Sequence, residues 1–221
     1  RRPVAFIRLL LLLTETMQHG AMVKSMEDRI RKALRSAGAV RTRELEQAGI
    51  TRTQIVRLVS AGKLQKIGRG LYAPADYQGT EHSALVAVAT RAPKVVFCLL
   101  TALRFHEMTT QSPFEVWIAI ANNDHPPRLV DPPLRTVRCS DSSLRYGVEV
   151  RTVEGVALRI TSPAKTVADC FKFRNKVGLD VALDALRDVL RERKATTDDL
   201  WRCAKVNRVA NVMRPYLEAT V

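Results

Sequence analysis

Paired cysteines, aromatic residues and long apolar runs are scarce in this chain of 221 residues. The four cysteines (Cys98, Cys139, Cys170 and Cys203) stand more than 30 residues apart, so the sequence has no CxxC pair of a zinc ribbon or finger. Four unpaired cysteines are typical of the reducing cytosol and predict a cytoplasmic protein. An aromatic content of 5% predicts a core built mainly of aliphatic side chains.

The apolar run from Leu9 to Leu13 is too short to span a bilayer, so no membrane partner is predicted. Arg8 interrupts the apolar stretch, and no small-residue cleavage site of a signal peptide is clear. We expect residues 1–25 to form a poorly ordered extension. A targeting segment and an additional helix packed on the body are the alternatives.

Positive charge is abundant, and its density is highest in the first third of the chain. The formal net charge is +14, and residues 26–77 hold 11 Lys and Arg against 5 Asp and Glu. Residues 78–221 hold 21 against 16. A strongly basic protein suggests a polyanionic partner, usually a nucleic acid.

The length allows two small domains, and a polar stretch from Pro74 to Gly79 has the composition of a linker. We therefore divide the chain into residues 1–25, a first domain over 26–77 and a second domain over 78–221. With 46% hydrophobic residues, both domains have material for a core.

Residues 26–77 have the pattern of a helix-turn-helix. A first helix is expected over 26–37 and a second from Thr42, as N-cap, to Ala48. A third helix begins after Thr51, whose spacing to Gln54 fits a capping box, and it ends at Gly62. Two short helices joined by a glycine-bearing turn are the signature of this motif.

A β-hairpin should follow these helices. Leu64 and Ile67 on one side, and Leu71 with Tyr72 on the other, flank the turn Gly68-Arg69-Gly70. Three helices and a hairpin with a basic tip predict a winged helix-turn-helix. The overall fold class is thus α+β, with this domain followed by a mixed α/β domain.

Residues 78–221 alternate between helical and extended patterns. A helix should open at Ser162 with Pro163 in its first turn. Further helices are expected over 81–91, 99–107, 179–192 and 206–217, with one more capped by Thr197. Strands are expected over 114–121, 134–137, 148–153 and 156–160. Residues 95–98 could form either a short strand or the start of the helix that follows.

The third helix should present a basic face to DNA. When Ile55, Leu58 and Val59 pack inward, the opposite side points outward. Its first turn would meet base edges, the wing would grip phosphates or the minor groove, and the start of the second helix would meet the backbone. The predicted DNA-binding residues are Arg41, Arg43, Arg52, Thr53, Arg57, Ser60, Lys63, Lys66 and Arg69.

No catalytic pattern is recognisable elsewhere, and no cofactor or metal site is predicted. The sequence lacks a P-loop, a GxSxG, an HExxH and a nucleotidyltransferase DxD motif. Asp169 and Lys172 form a D-x-x-K, which we interpret as an ion pair on a helix surface or a cap. Two alternatives stay open: a divergent metal-dependent nuclease domain, and a non-enzymatic module in which the winged helix docks a protein.

Two segments resemble the AbiEi antitoxins of bacterial type IV toxin–antitoxin systems. They are GITRTQIVRLVSAGKLQKIGRGLYA (49–73) and ITSPAKTVADCFKFRNKVGLDVALDALRDVL (160–190), the latter followed by LWRCAKVNRVANVMRPYLEA (200–219). The resemblance extends over about residues 26–219. It implies a winged helix that binds inverted repeats in the promoter of its own operon and represses it. The protein would be a monomer in solution or a dimer on DNA.

The same resemblance assigns antitoxicity to the C-terminal domain. That domain would neutralise a nucleotidyltransferase toxin, with or without direct contact, and its fold would be nuclease-like but inactive. The resemblance identifies no residues for this activity.

Overall fold

The computed structural model describes Ile30 and residues 39–68, 70–77, 80–129 and 131–220. The chain divides into two compact units, Arg1–Gln78 and Gly79–Val221. Among the residues described, no helix combines the length and the apolar character needed to cross a membrane. The extension over 1–25 lies outside the described residues.

The N-terminal unit combines short helices with a small antiparallel sheet. In chain order its elements are strand β1 (Val40–Arg41), helices α1 (Thr42–Gln47) and α2 (Arg52–Ser60), and strands β2 (Leu64–Gly68) and β3 (Leu71–Pro74). The strand order is β1-β3-β2. Of the first helix predicted over 26–37, only Ile30 is described; it is helical and buried.

The helix α2 begins as the sequence predicts. The Gln54 backbone N–H donates to the Thr51 hydroxyl, and the Thr51 backbone N–H donates to Gln54 Oε1 at 2.9 Å. This reciprocal capping box satisfies two backbone donors at the helix start. The hairpin β2–β3 also forms as predicted, with a bulge between Lys66 and Gly68.

Thr42 has a different role from the one predicted for it. The N-cap of α1 is Arg41, and Thr42 is the first helical residue. The Thr42 hydroxyl and backbone N–H both donate to the carbonyl of Gly70, at 3.2 and 2.9 Å. The hydroxyl therefore ties α1 to the hairpin turn instead of capping its own helix.

The core of the N-terminal unit is aliphatic. It is formed by Ile30, Val40, Leu45, Ile50, Ile55, Leu58 and Leu64, with Val59 and Tyr72 partly buried against it. Each side chain removed from water contributes about 1.5–3 kcal/mol, so this cluster fixes which face of α2 turns inward.

The C-terminal unit is built around a five-stranded mixed sheet of order β6-β5-β4-β8-β7. Its strands are β4 (Val96–Phe97), β5 (Val116–Ala121), β6 (Leu134–Cys139), β7 (Val148–Val153) and β8 (Val156–Thr161). The pairs β4–β8 and β5–β6 are parallel, whereas β4–β5 and β7–β8 are antiparallel.

The helices of this unit are α3 (Ser83–Arg91), α4 (Leu99–Phe105), α5 (Asp141–Arg145), α6 (Pro163–Lys172), α7 (Arg174–Val177), α8 (Leu179–Arg191), α9 (Thr197–Asn207) and α10 (Ala210–Thr220). Helix α6 is central, because every residue from Ala164 to Phe171 is buried and α4, α8 and α9 pack on it. Ser162 caps α6 with Pro163 in the first turn, as predicted.

Two predicted helix boundaries in this unit need correction. The helix expected over 206–217 begins at Ala210 instead, because α9 continues to Asn207 and Arg208 ends it in a left-handed conformation with φ of 60°. The cap of α9 is Thr196, which accepts from the backbone of Asp199, and not Thr197. The short helices α5 and α7 were not predicted.

Candidate nucleic-acid interface

Helix α2 turns a polar face outward because its apolar residues are fixed in the core. Ile55 and Leu58 are buried, at 1% and 4% exposure. On the opposite side Arg52, Thr53 and Arg57 are exposed.

Val56 lies on this outward side too, and 63% of it is exposed. A large aliphatic side chain in that position is available for contact with a partner. The outward surface of α2 thus combines cations with one apolar residue.

Eight of the nine predicted interface residues lie among the described residues, and all eight are exposed. They are Arg41, Arg43, Arg52, Thr53, Arg57, Ser60, Lys63 and Lys66. Arg69 lies outside the described residues. Their exposure makes these side chains available to a polyanion.

The arginines predicted to meet a phosphate backbone stand at the start of α1. Arg41 ends β1 and precedes α1, and its backbone N–H donates to Glu44 Oε2 at 2.7 Å. Arg43 is exposed in the first turn of α1. The hydrogen bonds from Thr42 to Gly70 bring the hairpin turn against this same helix start.

The hairpin turn depends on glycine at this contact. Gly70 has a φ of +66°, and a Cβ built on it would lie 3.1 Å from Thr42 Oγ1. Glycine adopts a positive φ without a steric penalty and leaves room for the threonine hydroxyl. The approach of the hairpin to α1 is therefore built into the sequence. Lys66 projects from β2 of this hairpin, and Lys63 precedes that strand.

An ion pair joins the two helices of this face. Arg52 Nε donates to Glu46 Oε1 at 2.7 Å, from the first residue of α2 to the last turn of α1. Glu46 is not among the residues predicted from the sequence. The two residues are six positions apart and on different helices, so only the angle between α1 and α2 brings them together.

The D-x-x-K of the C-terminal unit is internal and not a surface ion pair. Asp169 is 3% exposed and pairs with Lys165, which is 1% exposed, while Lys172 donates to Ser143 at 3.5 Å. The amide of Asn207 also donates to Asp169 Oδ1, at 2.8 Å. Because the carboxylate is buried and bound by Lys165 and Asn207, this motif does not support the nuclease alternative.

The cysteines of this unit are free and buried. Burial raises the pKa of the Cys98 thiol well above its ordinary value and raises the pKa of Cys203 to about 11. Since the thiolate is the form that reacts and binds metals, these thiols are not activated at neutral pH. Within the described part of the chain, no group of three or more His, Cys, Asp or Glu residues is placed to hold a metal ion.

Comparison with protein families gives a match in the N-terminal unit. Residues 28–75 match the family model described as "Transcriptional regulator, AbiEi antitoxin". The resemblance predicted from the sequence is thereby confirmed over these residues, whereas the resemblance of the C-terminal segments stays a prediction. No curated protein matches the chain.

The solved structures that resemble the chain include one that matches it over most of its length. It is that of the RV2827C protein from Mycobacterium tuberculosis, with a TM-score of 0.51 and 14% sequence identity. The alignment covers 87% of this chain and 80% of that one. At this identity the likeness concerns the fold alone.

Proposed function

Because residues 28–75 match the AbiEi antitoxin transcriptional regulators, we propose that this protein is a sequence-specific DNA-binding repressor of its own operon. In this proposal α1, α2 and the β2–β3 hairpin act as a winged helix-turn-helix in the bacterial cytoplasm. The observation that carries it is the capped helix α2, which exposes Arg52, Thr53 and Arg57 beside a hairpin that bears Lys66.

Helix α2 is the element that would read bases in the major groove. Arginine matches guanine because its planar fork donates to two acceptors at once, and such a pair contributes about 1–3 kcal/mol of discrimination. Arg52 and Thr53 in the first turn are in the position from which recognition helices contact base edges. Val56 is suited to the methyl group of thymine.

The other cations would position the protein on the duplex. Arg41 and Arg43 at the start of α1, with Lys63 and Lys66 around β2, would contact phosphates, and Arg69 would act from the wing tip. Inverted repeats in a promoter would be bound by two copies of the chain, related by the two-fold axis of the DNA.

Arg52→Ala and Lys66→Ala separate base reading from phosphate binding. We expect Arg52→Ala to reduce the preference for promoter over shuffled DNA. Lys66→Ala should weaken binding to both DNAs alike and lower the slope of log K against log salt by about one. Fluorescence anisotropy with the two duplexes measures both effects.

Arg187→Ala is the matched control, since Arg187 is an exposed arginine of α8 that pairs with Asp184. If Arg52→Ala and Lys66→Ala both bind like this control, the proposed DNA face is wrong. Failure of the intact protein to bind any DNA at low salt, combined with a stable complex with another protein, would favour the interaction-module alternative.

The second part of the proposal concerns antitoxicity. The C-terminal unit would neutralise a nucleotidyltransferase toxin, with or without direct contact, as the resemblance of its sequence to AbiEi antitoxins implies. Coexpression with the toxin from an unrelated promoter tests it: growth should be rescued even by Arg52→Ala. Rescue that requires Arg52 would contradict a role separate from DNA binding.

A further inference from the structure

The ion pair between Glu46 and Arg52 lies within the face proposed to bind DNA. Arg52 is the first residue of α2, and its side chain is 80% exposed, whereas that of Glu46 is 38% exposed. The contact runs from the Nε–H of Arg52 to the Oε1 of Glu46 at 2.7 Å. An acidic side chain therefore lies on a face where only cationic side chains would favour binding to a phosphate backbone.

The geometry of the guanidinium makes this contact selective. A guanidinium has five N–H donors in a fixed plane, and the bond from Nε uses only the donor nearest the aliphatic chain. The ion pair with Glu46 uses Nε, and the Arg52 side chain is 80% exposed, so its terminal fork is accessible to a ligand. That fork is the edge that can donate to both O6 and N7 of a guanine.

The pair is a poor device for stability. An ion pair this exposed contributes little, because water screens it and two flexible side chains must be ordered. Arg52 also stands at the positive end of the α2 dipole, where a cation is unfavourable, and the first turn of α2 has no acidic residue to offset it. Helix stability therefore does not explain why an arginine stands at this position.

We propose that Glu46 is a positioning residue that holds the Arg52 guanidinium with its terminal fork directed at a guanine. The proposal rests on the proposed DNA-binding function. Ordering Arg52 before binding reduces the side-chain entropy lost when it meets the base. The negative charge of Glu46 also disfavours contact between this arginine and a neighbouring phosphate. While the ion pair is intact, that contact would bring the carboxylate close to the negative charge of the phosphate.

The test is the affinity of Glu46→Ala for promoter DNA and for promoter variants changed one base pair at a time. The base pair read by Arg52 is the one at which Arg52→Ala loses discrimination. At that base pair we expect Glu46→Ala to lose discrimination by about tenfold, a part of what a bidentate arginine–guanine pair supplies. Its affinity for shuffled DNA should be unchanged or higher, because an acidic group has been removed from the face.

Three further variants separate positioning from a general effect of charge. Glu46→Gln, which keeps an acceptor for the Nε–H, should be intermediate. Asp76→Ala removes an exposed acid of the same unit and should keep discrimination at every base pair. The double variant Glu46→Ala/Arg52→Ala should discriminate no less than Arg52→Ala. Thermal unfolding should show the same midpoint for Glu46→Ala and the intact protein.

The outcomes distinguish this proposal from the one on which it depends. If Arg52→Ala loses discrimination but Glu46→Ala keeps it, the positioning role is refuted and the DNA-binding function stands. If Arg52→Ala itself changes nothing, Arg52 reads no base and the positioning role is refuted as well. If the intact protein does not distinguish promoter from shuffled DNA, both proposals fail.

Discussion

Which partner a charged residue pairs with depends on burial more than on the spacing of the two residues along the chain. The D-x-x-K pattern drew attention to Lys172, three residues after Asp169, although Lys165 lies four residues before it and is equally well placed on a helix. The structure pairs Asp169 with Lys165 inside the unit and leaves Lys172 half-buried at its edge. Sequence spacing allows either lysine to pair with Asp169, and only the packing of α6 shows which of them does.

The buried pair predicts a large loss of stability for Asp169→Ala. Removal of the carboxylate leaves the Lys165 ammonium buried without its counter-charge, which costs about 3–5 kcal/mol. Both tryptophans of the chain, Trp117 and Trp201, lie in the C-terminal unit, so their fluorescence during urea unfolding reports this unit.

Asp184→Ala is the control for this prediction. It breaks the exposed pair with Arg187 in α8 and should change stability by less than about 1 kcal/mol. Equal unfolding midpoints for the two variants would mean that the pair between Lys165 and Asp169 is not a significant source of stability.

At the scale of elements, the sequence predicts best where the interactions are local. Thr51 and Gln54 lie three residues apart, and Ser162 is followed at once by Pro163, so both helix starts can be read from neighbouring residues. Strand β1 was missed because it consists of two residues that pair only with β3, about 30 positions later.

Two other features were not predicted because no local sequence pattern marks them. The break between α9 and α10 is made by a left-handed arginine, without the glycine that usually marks such an end. The contact between Glu46 and Arg52 requires the angle between α1 and α2, which no local pattern encodes.

Gly70 provides a prediction at this scale. Gly70→Ala must keep a φ near +66° with a side chain, at a cost of about 1–2 kcal/mol, and its Cβ presses on Thr42 Oγ1. Crowding at that contact should add roughly 1 kcal/mol and loosen the hairpin from α1. Hydrogen exchange of the backbone amides of β2 and β3 measures the loosening.

Gly62→Ala is a matched control, because Gly62 has the same φ of +66° and no atom within 4 Å of the added Cβ. It should carry the backbone cost without the crowding. If the two variants exchange at the same rate in the hairpin, the contact with Thr42 does not hold the hairpin in place.

At the scale of the whole molecule, charge indicated the class of partner before any element was known. The net charge of +14 and the concentration of cations in residues 26–77 favour a polyanion, but charge does not distinguish specific from nonspecific binding. Specific binding depends on α2, because the burial of Ile55 and Leu58 determines which of its side chains are available to base edges.

The affinity ratio of the intact protein for its own promoter and for shuffled DNA of the same length and composition tests the central claim most directly. Measured by anisotropy near physiological salt, it should reach about a thousandfold or more, the range of specific DNA-binding proteins. Affinity for both duplexes should fall steeply as salt is raised, because phosphate contacts release counterions. A ratio close to one at every salt concentration would contradict the account, since the face of α2 would then read no sequence.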